Sequence, residues 1–184
     1  MNNFPTLHTK RCILREISRR ELSTLREIIE DEQFQRFLPE LYDTVKTEEE
    51  LLQLMRHFDT YVQNEDGALW GIETEDSLIG FVAIMDISYD PILFYALQPN
   101  YRNQGYAKEA VAEVVRYFKE KHHNPNLHTE VYKDNHASIS ILQSCGFMIS
   151  SNEQKKNYAD VVRTYTFCDN YTINRNDHTI INAL

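Results

Sequence analysis

The stretch Tyr101-Arg102-Asn103-Gln104-Gly105-Tyr106-Ala107 decides how the chain is read. Before it, the run Ile92 to Leu97 is apolar throughout and stops at Pro99-Asn100, which predicts a short buried strand closed by a turn. After it, Ala107, Ala110, Val111, Val114, Val115 and Phe118 recur at helical spacing and predict a helix with one face on a core. The stretch is therefore a strand-to-helix junction. Such a junction offers an anion several backbone N–H groups without intrahelical partners, together with the positive end of the helix dipole. Gly105 lets the backbone approach a ligand closely, and Arg102 adds a cation. A Walker loop is excluded because no Gly-Lys-Ser/Thr follows, and one glycine where three are wanted fits a dinucleotide fingerprint poorly. An ordinary turn with a glycine accounts for the local pattern equally well.

Outward from this junction the pattern alternates between strand and helix. Residues 11–17 predict a first strand. Ser18-Arg19-Arg20-Glu21 and Thr47-Glu48-Glu49-Glu50 are capping boxes, each followed by an apolar helical stripe. The segment 31–45 between those helices reads as irregular and carries Asp31, Glu32, Glu40 and Asp43. Residues 68–74 and 78–87 have hairpin spacing. Beyond the long helix, 127–132 predicts a strand and 137–145 a short helix ended by Gly146. Residues 147–150 and 160–168 form a final strand pair. The order predicts a three-layer α/β fold: a mixed, mostly antiparallel sheet of about six to seven strands with helices on both faces. The domain runs over 1–168, and 169–184 is a polar extension.

Composition narrows the class. A chain of 184 residues with 42% hydrophobic and 26% charged content is long enough for one sizeable core. A net charge of −9 argues against nucleic-acid binding by bulk electrostatics. Cys12, Cys145 and Cys168 are scattered with no C-x-x-C, no apolar run has membrane-spanning length, and no signal peptide is recognisable. These features predict a reduced, cytoplasmic protein. His122-His123 and His128 lack metal-ligand spacing, so no metal site is expected. Cys145 reads as a core residue rather than a nucleophile.

A second constellation lies at Asn135-His136-Ala137-Ser138, followed by Leu142 and Gly146-Phe147. Asn135 and Ser138 suit the first turn of a helix as capping residues, and they equally suit a ligand amide. Taken with Arg102-Asn103-Gln104-Gly105-Tyr106-Ala107, which fits Q/R-x-x-G-x-G/A, the pattern resembles the GNAT superfamily of acyl-CoA-dependent N-acetyltransferases. The resemblance extends over about residues 6–168. The opening His8 to Arg15 is similar to the branch that acetylates ribosomal-protein N-termini.

The resemblance implies direct transfer of an acetyl group from acetyl-CoA to a primary amine. Backbone groups of Tyr95 to Leu97 would pair with the pantetheine arm, with the Leu97 N–H as oxyanion donor. Arg102 and the loop Gln104, Gly105, Tyr106, Ala107 and Lys108 would hold the pyrophosphate, and Asn135 a pantetheine amide. Ser138 would stabilise or protonate the departing thiolate, because the position where many relatives carry a tyrosine is Leu142. Where relatives often carry a glutamate base the chain has Ile92, which leaves Glu130, Asp86 and His128 as alternatives for that role. The acidic segment 31–45 points to a cationic acceptor such as a peptide N-terminus, an aminoglycoside or a polyamine. A homodimer is compatible with the resemblance. The missing carboxylate at position 92 keeps a second reading open, an acyl-CoA-binding module without turnover.

Overall fold

The computed structural model describes residues 4–75, 77–122, 126–154 and 161–167. The expected extension 169–184, Cys168 and His123 lie outside them. Eight strands form one sheet in the order β1-β2-β3-β4-β5-β6-β8-β7. The strands are β1 (Leu7–His8), β2 (Ile13–Glu16), β3 (Ala68–Thr74), β4 (Ser77–Met85), β5 (Ile92–Leu97), β6 (His128–Tyr132), β7 (Phe147–Gln154) and β8 (Val161–Phe167). All neighbours are antiparallel except β5 and β6. The expectation of six to seven strands missed β1, whose two paired residues carry no periodic signal.

Helices cover both faces. On one lie α5 (Tyr106–Lys121) and α6 (His136–Ser144), packed on Trp70, Ile72, Val82 and Leu93. All six residues of the expected α5 stripe are buried. The other face carries α1 (Leu22–Ile29), α2 (Glu32–Phe37), α3 (Pro39–Asp43) and α4 (Glu48–Gln63) around Leu25, Ile28, Phe34, Leu51 and Phe81. Both capping boxes are formed; the first opens a 3-10 turn, Arg19–Glu21, that leads into α1.

The segment 31–45 is helical rather than irregular. Asp31 accepts from the N–H groups of Gln33 and Phe34 and so caps α2, while Pro39 takes the first position of α3, where its missing N–H costs nothing. Two helices of 6 and 5 residues are too short to show an apolar stripe.

Candidate active site

β5 and β6 pair only at Ile92↔His128 and then diverge. Beyond that point β5 keeps β4 on one edge, and its other edge opens into a cleft. The phase of the ladder is set by the Gln98 N–H, which donates to Ile79 O at 2.8 Å. Alternation along the strand therefore turns the N–H groups of Tyr95 and Leu97 toward the cleft. Gly80 sits opposite Leu97, where a Cβ would lie 2.3 Å from Ala96 O, so only glycine allows β4 this close to the strand end.

The chain leaves β5 through a 3-10 turn, Pro99–Tyr101, and enters α5 at Gly105, whose φ of 87° is left-handed. No backbone N–H from Asn103 to Lys108 donates to an acceptor among the described residues. Gln104, Gly105 and Lys108 are exposed, Tyr106 is half-buried and Ala107 is buried against the core. The result is a concave run of N–H groups at the positive end of a 16-residue helix.

The cation beside this run is Arg11. Its Nη2 donates to Gln104 O at 2.9 Å, its guanidinium lies 4.3 Å from the Tyr106 ring centre, and its Nε is anchored on Glu109 at 2.7 Å. Nothing local in the sequence marks Arg11, because 93 residues separate it from Gln104. Arg102, the cation that the motif supplies, turns elsewhere. It donates to Leu97 O and to the Asp31 carboxylate.

Across the cleft, Asn135 caps α6 by accepting from the Ser138 N–H at 3.2 Å. Ser138 lies in the first turn and is half-buried. The Tyr95 hydroxyl donates to Ser138 O at 3.4 Å, tying β5 to that turn. Burial raises the pKa of Tyr95, so its hydroxyl stays protonated. Cys145 ends α6 beside Lys108 O, 3.9 Å away, and burial raises its pKa as well. The thiol is therefore the stable form near neutrality. His122 stacks on Phe118 with ring centres 5.2 Å apart, and burial lowers its pKa, which makes it part of the packing rather than a solvated helix end.

The three alternatives for the base occupy different places. Asp86 accepts from the Tyr61 hydroxyl at 2.8 Å in the turn after β4, at the opposite end of β5 from Leu97. His128 sits at the closed end of the cleft, 3.4 Å from Asp90. Glu130 lies further along β6, where the cleft is open. It shares a face with Tyr132, whose ring meets Phe37 of α2 at 6.1 Å, so Glu130 belongs to the side that α2 covers. Of the acids in 31–45, Asp31 is paired with Arg102 and Asp43 with Lys46.

The parallel strand pair β5–β6 thus parts beside a strand–loop–helix junction with backbone N–H groups free among the described residues. Residues 11–148 match the family described as the acetyltransferase (GNAT) domain, and the chain belongs to that family. It is an enzyme of the GNAT N-acetyltransferase type. An uncharacterized N-acetyltransferase, YoaA, of Bacillus subtilis is 25% identical over 183 residues, covering 97% of each chain. Among solved structures, RimL, a ribosomal L7/L12 alpha-N-protein acetyltransferase in complex with coenzyme A, superposes with a TM-score of 0.78 at 14% identity, over 88% of this chain and 96% of its own. Spermidine N-acetyltransferase from Vibrio cholerae, in complex with CoA and spermine, gives 0.71 at 17% identity, over 84% and 94%. No helix among the described residues is long and apolar enough to cross a membrane, and none of their His, Cys, Asp and Glu side chains form a group of three or more that could hold a metal.

Proposed function

We propose that the protein moves an acetyl group from acetyl-CoA to a primary amine by direct attack in a ternary complex. The observation that carries this reading is the single β5–β6 register pair, which leaves the Leu97 N–H facing an open cleft between the phosphate loop and Ser138. Pantetheine would pair with the Tyr95–Leu97 edge as an added strand. Backbone N–H groups of Gln104, Gly105, Tyr106, Ala107 and Lys108 would take the pyrophosphate, with Arg11 as the nearby cation. The Leu97 N–H would meet the oxyanion as the amine attacks the thioester carbon. Asn135 would fix the first turn of α6, and the Ser138 hydroxyl would stabilise the CoA thiolate by hydrogen bonding, directly or through a water, as the C–S bond breaks and the proton lost by the amine is passed on through solvent.

For the amine proton we assign Glu130, acting directly or through a water, since it stands beyond the single β5–β6 pair, whereas His128 forms that pair at the closed end and Asp86 is held by Tyr61 in the turn after β4. The acceptor would be a peptide N-terminus or a small cationic amine. The supporting hint is confined to the acidic character of 31–45, and Asp31 and Asp43 already have cationic partners. The domain would span 1–168, and the protein would act in the cytoplasm as a monomer or homodimer.

Isothermal titration of acetyl-CoA, followed by thiol release across a panel of peptides, polyamines and aminoglycosides, tests this reading. Binding with amine-dependent thiol release is expected, with kcat about a hundredfold lower in Ser138→Ala and binding unchanged. Absence of binding would sink it. Binding with no release against any amine would favour the acyl-CoA-binding module instead.

A further inference from the structure

Arg102 heads the glycine-loop motif, yet its guanidinium points away from the loop. Its Nε and Nη2 donate to Leu97 O at 3.1 and 2.9 Å, and Nη2 also reaches Asp31 Oδ1 at 2.5 Å. The pair is largely buried, with side-chain exposures of 21% for Arg102 and 16% for Asp31. Asp31 is at the same time the N-cap of α2. At the other end of α2, Arg36 pairs with Asp134, the neighbour of Asn135, and Phe37 meets Tyr132. The short helix thus spans from the end of β5 to the end of β6, across the side of the cleft where Glu130 lies.

We propose that Arg102 is a positioning residue rather than a phosphate ligand. It locks the Leu97 peptide and the acceptor-side helix α2 into one unit. Two donors on one carbonyl hold the strand end in register, which keeps the Leu97 N–H aimed into the cleft. The same guanidinium carries the N-terminus of α2, so the wall that the amine would meet is set relative to the oxyanion donor. Nη2 reaches both acceptors while Nε adds the second donor on Leu97 O, and a lysine ammonium has no second nitrogen for that doubled hold on one carbonyl. The loop N–H groups and Arg11 supply the phosphate side without it.

This inference rests on the acetyl-CoA reading, and one comparison separates the two. Arg102→Gln, Arg102→Lys and Asp31→Asn are assayed with acetyl-CoA and with S-acetylpantetheine, which keeps the thioester and lacks the pyrophosphate. Positioning predicts that Arg102→Gln lowers kcat by about tenfold or more, by the same factor with both donors, while KM for acetyl-CoA stays within about threefold. Arg102→Lys stays low despite its retained charge. Asp31→Asn falls in the same way, and the double variant is no worse than the poorer single one. Thermal melts check folding, and Arg102→Lys replaces Arg102→Gln if the latter melts early. A penalty seen with acetyl-CoA and absent with acetylpantetheine would overturn the proposal and return Arg102 to the phosphates. Unchanged kcat in all variants would overturn it too. A wild-type protein that neither binds nor turns over acetyl-CoA would sink the underlying reading instead.

Discussion

At Gly105 the backbone needs a left-handed φ, and an added Cβ would press on Arg11 Nη2 at 3.1 Å. Gly105→Val therefore strains the loop and displaces its cation together, and it is expected to weaken acetyl-CoA binding by about tenfold or more in a titration. Glu130 makes a different kind of prediction. Glu130→Gln removes a proton acceptor while keeping shape, so kcat should fall at neutral pH and recover toward high pH, where the amine enters already deprotonated. A pH–rate profile that merely scales down without changing shape would place the base elsewhere. Gly105 and Ser138 stand out in the sequence because their motifs are local. The place of Arg11 and the pairing of Arg102 with Asp31 do not, since these contacts span 93 and 71 residues of chain.

At the scale of elements, the two capping boxes were readable because an N-cap and its reciprocal glutamate stand three residues apart. The first box carries more than its helix. Glu21 accepts from Arg15 at 2.7 and 2.9 Å and from the Ser18 N–H at 2.8 Å, and Arg15 also binds Glu73 on β3. The Arg15 guanidinium holds the Glu21 carboxyl below its ordinary pKa against the opposing effect of burial, and the Ser18 N–H adds to the lowering. A depressed folded pKa contributes stability above the unfolded value, about 4.3 for glutamate, and loses it as pH falls through the folded value. Glu21→Gln should thus cost about 1–2 kcal/mol at pH 7 and have a flatter loss of stability below about pH 4, as read from denaturant melts. The helices α2 and α3 escaped the sequence because neither is long enough to show an apolar stripe: α2 starts on the Asp31 cap and α3 on Pro39.

For the whole molecule, local pattern gave the layers but not the order of the last strands. Chain order would place β7 beside β6, whereas β8 lies between them. Pairing across space decides this, and residues 147–150 and 160–168 carry the same apolar character wherever they sit. The consequence for β6 is large: it shares one register pair with β5 and five with β8. A chain stopped after Gln154 should therefore lose cooperative melting, whereas one stopped after Cys168 should melt like the full chain if the domain ends there.

That dependence also sets a timetable for synthesis. A ribosome releases the glycine loop and α5 well before Val161–Phe167, so β4, β5 and α5 can assemble on the emerging chain while β6 still lacks its main neighbour. The glycine-loop side of the cleft is ready first, and the β6 side, which carries Glu130, is the last to take its place.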